Sequence, residues 1–150
     1  MRIAIGSDHS GLGLKTFLKD QLESEGHAVR DFGTNQSDPV DYPDIAIPLA
    51  QAVAAHEADL GVVICSNGVG VSMAANKAPG VRAALCSDPW SAQRAREHTD
   101  CNVLALGAYA IGSHVAQAVL AAFLAGEFQG GRHARRVAKI NALDAPRRPD

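Results

Sequence analysis

The feature that most constrains this chain is the run Leu60-Gly61-Val62-Val63-Ile64, five residues without a polar side chain, which ends at Cys65 and opens into Ser66-Asn67-Gly68-Val69-Gly70. A continuous apolar run of that length, bounded by glycine-rich sequence, reads as a strand buried on both faces, the pattern of a parallel sheet covered by helices. The glycine-rich segment after it reads as a strand-to-helix turn whose free backbone N–H groups form a cradle for an anion. A thiol delivered beside such a cradle points to proton-transfer chemistry.

The rest of the chain repeats the theme. Short β-rich segments at Arg2–Gly6, Ala28–Phe32, Val81–Cys86 and Asn102–Gly107 join Leu60–Cys65 as predicted strands. Between them Leu14, Leu18 and Leu22, then Ile45, Leu49 and Val53, then Val115, Val119 and Phe123 recur at i, i+4, i+8 and predict helices. A last helix is predicted from the Arg132 region to about Leu143. This alternation predicts an α/β fold, a single-domain flavodoxin-like (Rossmann-like) three-layer sandwich with a five-stranded parallel sheet in the order 2-1-3-4-5. That order puts a ligand crevice at the carboxyl ends of strands one and three. The domain is expected to span residues 1–144 with its C-terminal helix, and residues 145–150 to form a frayed, flexible tail.

At 150 residues the chain is long enough for one full core, and no linker or low-complexity stretch divides it. A net charge of −2 gives no general attraction to nucleic acid or to anionic membrane, so the expected partners are small anions. Ile3-Ala4-Ile5 is too short for the apolar core of a signal peptide, and no apolar run reaches membrane-spanning length; a cytoplasmic protein is expected. The three cysteines, Cys65, Cys86 and Cys101, lack CxxC spacing and cannot all pair, so neither a zinc site nor a disulfide framework is indicated and at least one thiol is free.

Asp8 and His9 follow the first strand and Cys65 ends the third, so the topology brings an acid, an imidazole and a thiol to one rim. Each has a plain structural role available: Asp8 as a helix cap, His9 as a loop histidine, Cys65 as a small core residue. Their convergence at a switch point is what favours a functional reading.

Six segments in order carry a more specific signal: Gly6-Ser7-Asp8-His9-Ser10-Gly11, Asp41-Tyr42-Pro43, Cys65 to Gly70 with Ala74-Ala75-Asn76-Lys77, Arg96-Glu97-His98, Asn102-Val103-Leu104, and Gly130-Gly131-Arg132-His133. Together they resemble the ribose-5-phosphate isomerase B family, which also includes galactose-6-phosphate isomerase subunits, over about Arg2 to Leu143. The resemblance implies an aldose-ketose isomerase that needs no metal or other cofactor. It also implies a cis-enediolate route on a phosphorylated sugar, here ribose 5-phosphate and ribulose 5-phosphate, in a homodimer or a dimer of dimers with the site between subunits.

The chemistry suits these residues. Aldose-ketose exchange removes a proton alpha to a carbonyl and returns it to the next carbon, which one base can do. Helix N-terminal amides and nearby cations lower a thiol from its ordinary pKa of about 8.5, and Cys65 is the candidate base on this ground and by family likeness. N–H donors in Ser66, Asn67, Gly68, Val69 and Gly70 would favour the enediolate over the substrate, each by on the order of 3 kcal/mol.

By resemblance His98 is the group that opens the sugar ring, a step suited to a side chain titrating near neutrality. It precedes the fifth strand whereas Cys65 follows the third, so within one chain the two sit at opposite ends of the sheet, roughly 17 Å apart for a five-residue strand. A two-fold partner is expected to bring His98 in. The plain alternative for His98 is a favourable charge at the C-terminal end of a helix.

Arg132 and Arg136, four apart, share a helix face and match the family's phosphate-binding arginines, although arginines near a terminus are often merely solvated. His9 is expected at a substrate hydroxyl or the phosphate, Asp8 at sugar hydroxyls, and Tyr42 in the pocket wall.

Three departures from the family pattern bear on the substrate. Ser66-Asn67 replaces Gly-Thr or Gly-Ser, so an amide stands where a ring-opening hydroxyl is usual. Thr99 replaces Asn after His98, and Tyr109 stands where a further phosphate-contacting arginine is common. Sugar length is therefore left open between five, four and six carbons. Two other classes stay open as well: a non-catalytic module binding a sugar phosphate or nucleotide, and a redox sensor joining Cys65 to Cys86.

Overall fold

A computed structural model describes residues 1–144 of the chain, and the expected tail at 145–150 lies outside the described residues. The strands are β1 (Arg2–Ser7), β2 (Ala28–Asp31), β3 (Leu60–Cys65), β4 (Ala83–Leu85) and β5 (Val103–Gly107). The helices are α1 (Leu12–Ser24), α2 (Tyr42–Ala54), α3 (Val69–Ala75), α4 (Pro89–Thr99), α5 (Ser113–Ala125) and α6 (Arg132–Asn141), the last followed by a 3-10 turn at Ala142–Asp144.

Every strand pairing is parallel. The period of two along each strand divides the core into two layers. On one face Ile3, Ile5, Val62, Ile64, Leu104 and Leu106 pack with Leu18 and Leu22 of α1, Ala92 of α4 and Val119, Leu120 and Phe123 of α5. On the other Ala4, Val63, Cys65, Val103 and Ala105 meet Leu49 and Val53 of α2 and Val71 and Ala75 of α3. Each fully buried Leu or Ile here stabilises the fold by on the order of 2 kcal/mol.

The expected sheet order needs one correction: it is 2-1-3-5-4, not 2-1-3-4-5. The reason lies in burial. All five residues of β5 are buried, so it belongs inside the sheet, whereas the shorter β4 is half-buried at Ala83 and Ala84 and exposed at Leu85, which suits an edge. Arg82, just before β4, directs its guanidinium to the carbonyls of Thr99 and Asp100, so the strand predicted from Val81 begins two residues later. The switch point between β1 and β3 is unaffected.

The edge at β4 is closed by a side chain. Asn76 donates its amide N–H to the Ala83 carbonyl at 2.9 Å and accepts the Ala83 N–H at 2.8 Å. A second correction concerns α5: Val115 is exposed, and Ala116 with Leu120 completes the buried stripe beside Val119 and Phe123.

One buried charge sits among the apolar residues of α1. Lys15 is 1% exposed, and its ammonium lies 2.8 Å from both oxygens of Asp31 and 2.7 Å from Asn35 Oδ1. A charge withdrawn from water persists only when paired in this way. The pair fastens the loop after β2 to α1, beside the carboxyl end of β1. Among the described residues no helix is long and apolar enough to cross a membrane.

Candidate active site

The register of β1 on β3 pairs Ser7 with Ile64, so Asp8 and Cys65 leave the sheet side by side at its carboxyl end. Asp8 is buried and its Oδ1 accepts from the N–H groups of Ser10 (3.0 Å) and Gly11 (3.2 Å) and from the Ser10 hydroxyl (2.5 Å). It therefore caps the turn at His9–Gly11, and this role fixes its position on the rim. His9 is exposed, and its Nδ1 accepts the Val40 N–H at 3.3 Å, which assigns the proton of the neutral ring to Nε2.

Cys65 is 4% exposed, and its sulfur accepts the Gly68 N–H at 3.2 Å. Asn67 Oδ1 lies 3.9 Å from the same sulfur and accepts the Val69 N–H at 3.0 Å, an Asx turn that shapes the loop into α3.

Two glycines make this arrangement possible. Gly68 has φ +79°, and a Cβ there would run into Leu85 Cδ1. Gly107, paired with Cys65 across β3 and β5, lies under the loop: a Cβ would stand 2.7 Å from the Asn67 carbonyl. Two backbone bonds, Ala108 N–H to the Cys65 carbonyl and Tyr109 N–H to the Ser66 carbonyl, clamp the β5–α5 connection onto the thiol loop.

Tyr42, at the start of α2, lays its ring against Gly70, within 2.7 Å of where a Cβ would be. Tyr109 is 77% exposed at the same rim. A cavity of about 390 Å³ lies beside it, lined by Ser10, Leu14, Phe17, Ala108, Tyr109 and Ile111 among others, on the α1 and α5 side of the sheet and not against Cys65. Asp8, His9, Tyr42, Cys65, Ser66, Asn67, Gly68, Val69, Gly70 and Tyr109 thus all belong to the carboxyl end of the sheet.

His98, Thr99, Arg132 and Arg136 do not. His98 and Thr99 close α4, just before β5 begins, at the amino end of the sheet. Gly61 pairs with Val103 and Cys65 with Gly107, so the two ends are four residues apart, about 13 Å along the strand. The Thr99 hydroxyl is engaged with the Ala95 carbonyl at 2.6 Å and lies 3.1 Å from Cys101 Sγ. Arg132 and Arg136 stand exposed one turn apart on α6.

The sequence reading did not single out His133, although it quoted the Gly130–His133 segment. The ring of His133 is stacked on that of His98, centroids 4.1 Å apart and planes 5° from parallel. His133 is 6% exposed. Burial, then the neighbouring His98, Arg132 and Arg136, hold its imidazole below its ordinary pKa. Its signal in the sequence was its place between two arginines on a helix that buries only it and Val137.

The suggested link between Cys65 and Cys86 is corrected by the fold. Cys86 follows β4, which β5 separates from β3, and it packs on the α1, α4 and α5 face whereas Cys65 packs on the other. All three thiols are free and buried. Among the described residues no cluster of three His, Cys, Asp or Glu side chains is placed to hold a metal ion.

The chain is similar in sequence and fold to known proteins. Ribose-5-phosphate isomerase B of Escherichia coli is 45% identical over 146 residues, covering 97% of this chain and 98% of the relative. D-erythrulose-4-phosphate isomerase of Pectobacterium atrosepticum is 40% identical over 142 residues, covering 93% of each. The solved structure of Mycoplasma genitalium ribose-5-phosphate isomerase B with bound ribulose-5-phosphate aligns with a TM-score of 0.93 at 41% identity, over 95% of each chain. With the Ribose/Galactose Isomerase family pattern matching residues 3–140, the chain belongs to that family and is an isomerase.

Proposed function

We propose that the protein interconverts ribose 5-phosphate and ribulose 5-phosphate through a cis-enediolate, with Cys65 as the base. The observation that carries this reading is the Gly68 N–H on the Cys65 sulfur at 3.2 Å, beside Asp8 at a switch point. The thiolate takes the C2 proton of the open-chain aldose and returns it to C1, while the hydroxyl proton on O2 moves to O1. The N–H groups of the Ser66–Gly70 loop are donors for the enediolate oxygens, and Asn67 supplies an amide at the same place. Asp8 and His9 face the sugar hydroxyls, and Tyr42 walls the pocket.

The other rim completes the site from a second copy of the chain. His98, Thr99, Arg132 and Arg136 share one end of the sheet, so a two-fold axis that brings one of them to the partner's Cys65 brings them together. In this homodimer His98 of the partner subunit moves the proton between anomeric hydroxyl and ring oxygen. Arg132 and Arg136 of the partner subunit hold the phosphate. No metal or other cofactor enters this scheme.

The test is direct: purified protein is incubated with ribose 5-phosphate and ketose formation is followed, then repeated with Cys65→Ala. Ketose from the wild type and none from the variant is the expected result. Binding of the sugar by wild type without exchange of its C2 proton into solvent would instead identify a binding module. A four-carbon substrate is the second reading, favoured by Tyr109 and by the relative that isomerises D-erythrulose 4-phosphate. Ranking four-, five- and six-carbon aldose phosphates by kcat/KM separates the two.

A further inference from the structure

We propose that His133 is a positioning residue for His98, holding its imidazole in a fixed plane, and so acting in ring opening but not in the carbon-to-carbon proton shift. The inference rests on the reading of His98 as the ring-opening group. The face-to-face geometry of the two rings, at 4.1 Å and 5°, is its basis.

His98 sits in the last turn of α4 and is half-buried, with no hydrogen bond from either ring nitrogen to another described residue. A histidine that moves protons needs a defined ring orientation, which usually comes from a hydrogen bond to one nitrogen. Here the flat face of His133 takes that place. His133 is itself buried on α6, and its backbone N–H is bonded to the Gly130 carbonyl at 3.0 Å. The same loop is tied to α4 through the Gln129 N–H on the Glu97 carbonyl at 3.0 Å. Both nitrogens of His98 are thereby left free for a sugar.

Burial, then His98 and the two α6 arginines, disfavour charge on His133, so its ring serves His98 as a flat, uncharged support.

The experiment separates ring opening from proton shift through the substrate. Ribose 5-phosphate is mainly a closed furanose, whereas ribulose 5-phosphate has its C5 oxygen esterified and stays open. His133→Ala is expected to slow conversion of ribose 5-phosphate by roughly ten- to a hundredfold, the cost of a misplaced catalytic group. Exchange of the C1 proton of ribulose 5-phosphate with solvent should stay within about twofold of wild type, because the open chain needs no such group. His133→Phe keeps a flat ring and should restore most of the conversion.

In the free protein, NMR of the His98 ring protons should show a ring-current shift that is lost in His133→Ala and kept in His133→Phe. Equal loss of conversion and exchange in His133→Ala, unchanged conversion, or failure of His133→Phe to restore it each overturns the proposal. If wild type converts no ribose 5-phosphate at all, the proposed substrate is wrong, while the NMR comparison still decides whether His133 orients His98.

Discussion

The two ends of the sheet are built by different means. At the carboxyl end the thiol is placed by backbone: a left-handed Gly68, the bare Cα of Gly107 under the Asn67 carbonyl, and the Ala108 and Tyr109 amides bonded across the gap. At the amino end the candidate groups are side chains on helix termini, placed by one ring against another and by arginines one turn apart. The first design tolerates almost no substitution at its glycines but fixes donors to within a hydrogen bond's tolerance. The second fixes His98 by ring stacking and leaves the exposed arginines free to change rotamer.

The most severe break is Cys65→Ala, for which kcat should fall roughly 10²–10⁴-fold while the far-UV spectrum stays that of wild type. Mixing it with inactive His98→Gln, unfolding and refolding the two together, should return roughly a quarter of wild-type activity, because half of the random dimers hold one intact site of two. No recovery would mean that the ends of the sheet do not meet across a two-fold axis. Next is Gly107→Ala: its methyl group meets backbone, so we expect a loss of about 1–3 kcal/mol by denaturant titration together with a fall in kcat, the loop above it having moved. Arg136→Ala, at the adaptable end, should leave stability within about 0.5 kcal/mol and raise KM by roughly tenfold, read from initial rates.

The smallest effect is on stability against pH. Burial, then Cys101 and Asp88 nearby, push the Cys86 thiol from 9.0 up to about 11. The folded state then holds a proton that the unfolded chain has released, so stability should decline as pH rises from about 9 to 11. Cys86→Ala should flatten that decline in thermal melts. An unchanged slope would show that the apolar face carrying Cys86 admits water.

Much of this was readable from residues. The unbroken apolar run ending at Cys65 located β3 and the thiol rim, because a strand covered on both faces needs no polar residue. Separating His98 from Cys65 needed only chain order and parallel pairing. The order of β4 and β5 departs from the flavodoxin-like order that strand-helix alternation suggests; Arg82 before one strand and the fully apolar Val103–Leu106 in the other carry the difference. Val115 was assigned to the buried face on spacing alone, and only packing against the sheet shows that Ala116 and Leu120 are used instead. His133 was passed over since neither burial nor stacking on a residue 35 positions away is written in local pattern.

The Asn76 amide has a consequence for assembly. By occupying both polar groups of Ala83, it plugs the open side of the last strand, where another chain could otherwise dock and prolong the ladder. A sheet running from one copy of the chain into another is therefore disfavoured at that position.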